Sequence, residues 1–314
     1  MTSIKKDKLK KVLRGIAVAI IIYITFSMIS TKLVYDYVFK HYSVENYQDY
    51  IANPSDVVVT QKEYSYPCND YLLKGFLYLN NKPQNGLIVF APGLNAQIVE
   101  YKSVIYAFVQ RGFDVFAFDP TGHGESGGKS SIGFPQIITD LDATLEFIGK
   151  SDDFNYENIF LLGHSRGGFG VCCTMNSYNN IAAAVSVNSV DTSMDAIMAY
   201  STKYVGDIAY GNYPFLSVYQ NFLFGSELCN KSASKEINDS KVPVLVIHAK
   251  NDEQLSGNKY SLYSKRKKIK SNNVEFLLYD KDGFDGHVSV LYNEDKFPNY
   301  DVINKISEFY KQKS

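Results

Sequence analysis

The run Asn158-Ile159-Phe160-Leu161-Leu162-Gly163-His164-Ser165-Arg166-Gly167-Gly168-Phe169-Gly170 decides how this chain is read. Its apolar segment, Ile159 to Leu162, breaks at Gly163-His164-Ser165-Arg166-Gly167, a G-x-S-x-G pattern placed where a strand would turn into a helix. The turn made by such a pattern is tight and strained. Gly163 and Gly167 lack the Cβ that would clash in it, so the Ser165 hydroxyl is expected to stand out at the strand's end. A serine in a glycine-rich turn without chemistry is the competing reading, and the surrounding sequence has to decide between them.

Outward from this stretch the chain alternates. Strand-like runs fall at Val57–Thr60, Leu72–Leu79, Leu87–Ala91, Val115–Phe118, Ile159–Leu162, Ala183–Val187, Val244–Ile247 and Val274–Leu278. Helical stretches lie between most of them, at Val104–Arg111, Ile137–Ile148 and Gly167–Tyr178, with a last one near Val302–Lys311. The later strands are short continuous apolar runs, as expected when helices cover both faces of a parallel sheet. The fold class predicted is therefore α/β, a mostly parallel doubly wound sheet. Such sheets bind ligands at the carboxyl ends of their strands, where Pro92-Gly93, Gly122 and Gly163 sit. One interval, about 190–240, is too long for a simple crossover and predicts a helical lid insertion. It carries Tyr200, Tyr204, Tyr210, Tyr213, Phe215, Tyr219, Phe222 and Phe224, most of them expected to form the insertion's own small core and a few to face substrate.

A serine nucleophile needs a base, and the base needs an acid to orient it. Of five histidines, His41 precedes the domain, His123 lies in an upstream turn, His164 adjoins Ser165 in a sharp bend, and His248 ends a strand. His287 remains, in the Gly-rich loop Gly283-Phe284-Asp285-Gly286-His287 after the last strand, within reach of the sheet's carboxyl edge. For the acid, Asp252 follows the buried strand Val244–Ile247 at the same edge; an Asp that only caps the next helix is the plain alternative. Asp191 after the preceding strand is a rival acid, and Asp280, Asp282 and Asp285 lie near His287 in sequence.

The order Ser165…Asp252…His287 is the one expected of α/β-hydrolases, and the chain resembles that superfamily from about Val57 onward. The resemblance rests on Ala91-Pro92-Gly93-Leu94-Asn95, on Asp119-Pro120-Thr121-Gly122-His123-Gly124-Glu125-Ser126, on the Ser165 turn and on the Asp252/His287 pair. The Gly-His-Gly-Glu-Ser turn is similar to that of the monoglyceride-lipase and serine-aminopeptidase branch, which acts on esters, amides or peptides. Those relatives usually carry His-Gly where this chain has Pro92-Gly93. The resemblance implies that the backbone amides of Leu94 and Arg166 hold an oxyanion, and that no cofactor or metal takes part.

The chain's bulk properties fit one large core or two small ones: 314 residues, 45% of them hydrophobic, with a net charge of −1 that argues against nucleic acid as a partner. Its charges are nevertheless uneven. Lys5, Lys6, Lys8, Lys10, Lys11 and Arg14 crowd a basic segment, 1–14, and no charge follows from Gly15 to Thr31. That stretch predicts a transmembrane anchor at 15–35, apolar all round, with a cleavable signal peptide as the closest rival. The basic cluster places the N-terminus in the cytoplasm, which puts the catalytic domain outside the cell membrane on a single-pass anchor. A stalk is expected at 36–56 and the hydrolase domain at 57–314. Cys172 and Cys173 read as core residues, while a Cys68–Cys229 pairing stays open.

The function expected is cleavage of an ester or amide bond in a small-molecule ester, acyl or peptide substrate. Ser165 serves as nucleophile through an acyl-enzyme. A membrane-tethered binding protein on the same fold is one alternative, and an acyltransferase using the same three residues is another. The aromatic insertion suits an apolar acyl group, whereas Asp195, Asp207 or Glu227 would suit a free amino terminus.

Overall fold

Short apolar runs become buried strands here, and the amphipathic stretches between them become helices that cover the sheet. The structure, a computed structural model, describes residues 3–44, 59–80, 85–255 and 259–313. Among them the strands are β1 (Thr60–Cys68), β2 (Tyr71–Leu79), β3 (Leu87–Ala91), β4 (Asp114–Asp119), β5 (Ile159–His164), β6 (Ile181–Val187), β7 (Val244–Ala249) and β8 (Val274–Tyr279). They form one sheet in the order β1-β2-β4-β3-β5-β6-β7-β8. β2 is antiparallel to both β1 and β4, and every later pairing is parallel.

Alternate side chains of the central strands enter two separate cores. Leu87, Val89 and Ala91 of β3 point to one face, and Ile88 and Phe90 to the other. On the first face lie α3 (Gln136–Lys150) and α4 (Arg166–Thr174); on the second lie α2 (Lys102–Val109) and α8 (Tyr300–Lys311). Both faces being covered explains why these strands read as unbroken apolar runs.

The first strand differs from its expected place. Val57 and Val58 lie outside the described residues, and β1 starts at Thr60 and runs to Cys68. It is an edge strand with its outer residues exposed, so it shows alternation (Tyr66 and Cys68 buried, Ser65 and Pro67 on the other side) in place of an apolar run.

Residues 188–243 carry the insertion, with α5 (Ser193–Val205), α6 (Ala209–Cys229) and α7 (Ala233–Asp239). Its aromatics do not close on one another. Phe215 meets Tyr23 edge-on at 5.6 Å, and Tyr219 meets Tyr35 at 5.0 Å. Tyr23 and Tyr35 belong to α1 (Ser3–Val38), a 36-residue helix that is long and apolar enough to cross a membrane. One stripe of it is buried: Ser27, Thr31 and Tyr35, continued by Phe39, four residues apart and thus on one helix face. The small Ser27 and Thr31 let α6 approach closely. Asn212 donates to the Thr31 hydroxyl at 3.1 Å, and Tyr35 donates to Gln220 Oε1 at 3.0 Å. The other faces, including Ile16 to Ile24, are exposed. Beyond the helix, residues 39–44 lie against the domain, Ser131 donating its amide to the Phe39 carbonyl at 2.8 Å and Tyr42 bridging to His123. The remainder of the segment read as a stalk, 45–56, is outside the described residues. All four cysteines are free and buried.

Candidate active site

Ser165 sits between the end of β5 and the start of α4 with φ 54° and ψ −115°, a left-handed conformation that a non-glycine residue adopts only under constraint. The constraint is packing. A Cβ on Gly163 would overlap the Gly167 carbonyl, and one on Gly167 would overlap the carbonyl of Ala91, so both positions exclude any larger residue. The Ser165 amide donates to the Val187 carbonyl at 2.8 Å and fixes the turn against β6.

Three strand ends deliver a hydrogen-bonded row. Ser165 Oγ lies 2.9 Å from His287 Nε2, and His287 Nδ1 lies 2.8 Å from Asp252 Oδ2. A carboxylate only accepts, so Nδ1 carries the proton and Nε2 is left to accept from the serine hydroxyl. Asp252 follows β7 and His287 follows β8, which is how residues 35 and 122 positions away from the histidine in sequence reach it. Burial raises the Asp252 carboxyl, but the bond to His287, the charges of His287 and His248 and the Leu255 amide outweigh it, holding the group below its usual value. Its second oxygen accepts from the amides of Gln254 at 2.9 Å and Leu255 at 3.0 Å. The rival acids are engaged elsewhere. Asp191 accepts from the Ser234 amide at the start of α7, Asp280 pairs with Lys250, and Asp285 takes a hydrogen bond from Asn251.

Leu94 and Arg166 flank the serine. Gly93, just before Leu94, lies so close that a Cβ on it would sit 3.5 Å from Ser165 Cβ, and Arg166 is the next residue along the turn. The Arg166 side chain is fully buried and turned away into the domain, donating to the carbonyls of Phe134, Gly133 and Ser131. Burial lowers its pKa to about 10, so it stays charged near neutrality.

Residues 82–209 match the model of the serine aminopeptidase S33 family. An esterase of Pyrococcus furiosus superposes with a TM-score of 0.62 at 21% identity, over 87% of this chain and 98% of that one. This is the α/β-hydrolase fold. Est1E of Butyrivibrio proteoclasticus, with ferulic acid bound, shares it at 17% identity and a TM-score of 0.56, over 79% of this chain and 96% of its own. An acylaminoacyl peptidase of Pyrococcus horikoshii shares it at 14% identity and a TM-score of 0.57, over 86% of this chain and 44% of the peptidase. No curated protein sequence matches. The family match and these neighbours together support a hydrolase.

Several residues that hold the hydrolase site in place were passed over in the sequence. His164 Nε2 donates to the His287 carbonyl at 2.9 Å, and its Nδ1 therefore accepts from the Tyr101 hydroxyl at 2.8 Å. Tyr101 in turn accepts the Gly93 amide at 3.3 Å. This chain of bonds ties the Gly93 loop to the His287 loop. His123 Nδ1 donates to the Thr121 carbonyl at 3.0 Å while Nε2 accepts the Asn95 amide at 3.2 Å, pinning the residue after Leu94. Burial lowers both histidines to about 3, helped by the Arg166 charge beside His123 and by the nearby His287 ring beside His164, so both are neutral. Asn188, at φ 47°, donates to the carbonyls of His287 at 2.7 Å and Gly286 at 3.2 Å, and accepts the Ala249 amide at 2.7 Å. Glu253 accepts the His287 amide at 3.0 Å. The position of Asn188 just past β6, at the sheet's carboxyl edge, was the available signal for it.

Proposed function

We propose that this protein is a membrane-anchored serine hydrolase that cleaves an ester or amide bond with Ser165 as nucleophile, His287 as base and Asp252 as its orienting acid. The observation that carries the reading is the row from Ser165 to His287 to Asp252, built on a strained turn at the carboxyl ends of three strands. Ser165 Oγ attacks the carbonyl carbon as its proton passes to His287 Nε2, and Asp252 stabilises the imidazolium. The amides of Leu94 and Arg166 then hold the oxyanion, each such donor contributing on the order of 3 kcal/mol in the transition state. The leaving group takes the proton from His287, and water activated by the same histidine resolves the acyl-enzyme.

An apolar acyl group fits better than a free amino terminus. Among the described residues, a cavity of about 510 Å³ opens beside Leu94, and no charged side chain lines it. Asp195 is paired with Lys265 and bonded to Thr192, and Asp207 and Glu227 are exposed away from the lining. The apolar α1 supports a single-pass anchor, with its basic end in the cytoplasm and the hydrolase domain on the outer side.

The test is labelling with a serine-directed fluorophosphonate, followed by turnover of p-nitrophenyl esters beside aminoacyl anilides. Labelling that disappears in Ser165→Ala, with ester turnover lost in His287→Ala, is expected. Equal labelling of wild type and Ser165→Ala would sink the reading.

A further inference from the structure

The cavity beside Leu94 is walled in part by the helix read above as the anchor. Leu33, Val34 and Val38 of α1 face Ile197 and Tyr200 of α5 and Leu216 of α6 across it. Its volume falls within the roughly 300–1,000 Å³ of small-molecule sites. Its lining includes Leu94, the residue whose amide is assigned to the oxyanion. Its lining also includes the helix turn that begins one residue past Lys32, the first charge after the apolar stretch.

Depth is set by what α6 touches. Tyr23 donates its hydroxyl to the Gly211 carbonyl at 3.0 Å, inside the charge-free stretch. Counting back from Thr31 at 1.5 Å per residue, that contact lies about 12 Å along the helix from the end of the stretch. The start of α6 is thus level with lipid if Gly15–Thr31 is. The surface there is suited to it: Tyr204 is 77% exposed, Ile208 82% and Phe222 81%, all on the insertion. Large apolar side chains exposed on one element mark a surface that meets another apolar phase, and tyrosines favour the headgroup layer.

We infer that α1 is a wall of the acyl site as well as an anchor, and that the acyl chain of a bilayer lipid slides sideways from the membrane between α1 and the α5–α6 insertion. Its carbonyl carbon then stops beside Ser165. This rests on the hydrolase reading for the chemistry at Ser165, but not for the occupancy of the cavity. Hydrolysis follows the balance given above: the acyl–oxygen bond breaks, the alcohol leaves with the proton from His287, and water supplies the hydroxyl of the released fatty acid.

The test uses the full chain in phosphatidylcholine vesicles, as wild type and as Val34→Trp and Val38→Trp, with p-nitrophenyl dodecanoate in the bilayer and p-nitrophenyl acetate in solution. A bulky residue in the wall is expected to lower the dodecanoate-to-acetate ratio of kcat/KM by about tenfold or more, the scale on which an apolar pocket discriminates by size. The dodecanoate rate is expected to follow its mole fraction in the bilayer; a rate that follows bulk concentration overturns sideways entry. A diazirine-bearing fatty acid in the same vesicles, photolysed with Ser165→Ala, reads occupancy without turnover and is expected to label Leu33–Val38 together with α5 or α6. Turnover with an unchanged ratio and no label on α1 overturns the inference and leaves the hydrolase reading standing. Label on α1 without turnover of any ester by the wild type overturns the hydrolase reading and leaves the acyl site.

Discussion

Replacing Asn188 by Ala tests whether the His287 loop is held from behind. The side chain makes three hydrogen bonds, at 2.7 Å to His287, 3.2 Å to Gly286 and 2.7 Å from the Ala249 amide, so it joins the end of β7 to the loop after β8. The His287 carbonyl keeps His164 as a donor and the Gly286 carbonyl keeps the Val290 amide at 3.3 Å, whereas the Ala249 amide loses its acceptor. A buried polar group left unpaired costs about 1–3 kcal/mol. Alanine at a positive φ adds about 1–2 kcal/mol. The sum is about 2–5 kcal/mol of stability, measured by circular dichroism in urea because the chain contains no tryptophan for fluorescence. Loosening His287 by about 1 Å lowers kcat on the order of 10²-fold, with KM little changed. Asn188→Gly separates the two causes: it relieves the backbone strain and recovers about 1 kcal/mol, but the loss of kcat persists. If Asn188→Ala lost less than about 1 kcal/mol and kept its kcat, the loop would not depend on these bonds.

Asp252→Asn presents an amide to His287 and favours the wrong tautomer, so ester turnover is expected to fall by about 10³–10⁴-fold with the fold intact by circular dichroism. His123 and His164 make stability sensitive to mild acid. Both fold with pKa values lowered to about 3, while the unfolded chain takes up protons below about 6.5, so stability falls as pH drops through that window. Between pH 6.5 and 5 the two together remove about 3 kcal/mol, read as a falling urea midpoint, and a flat midpoint would mean that the histidines are not buried neutral.

Where one strand carries its own signal, the sequence was enough. Ile159–Leu162 and Val244–Ile247 read as interior strands because both of their faces are covered, the edge strand Val274–Leu278 kept enough apolar residues to be read beside them, and Ser165, Asp252 and His287 come together because each follows one of these three strands. β1 was misplaced because an edge strand with an exposed face shows no continuous apolar run. The supports at His123, His164 and Asn188 were illegible for another reason. Each acts through contacts 28 to 123 residues away in sequence, and no local pattern encodes such a partner. The same holds for α1: its residues 15–31 announce a membrane span, but that Ser27, Thr31 and Tyr35 form a face for α6 depends on where α6 arrives.

Tyr35 and Phe39 belong to the same core cluster as Phe134, Leu216 and the strands of the sheet. The folding unit therefore extends into the last turn of α1. A soluble fragment begun after Phe39 would lack two of its core aromatic rings, at about 3–5 kcal/mol each, and would leave Tyr219 and Gln220 facing water instead of α1. A cut at the end of α1 would remove Tyr35 and keep Phe39, so a fragment released there would still be weakened, by the loss of one ring and of its bond to Gln220.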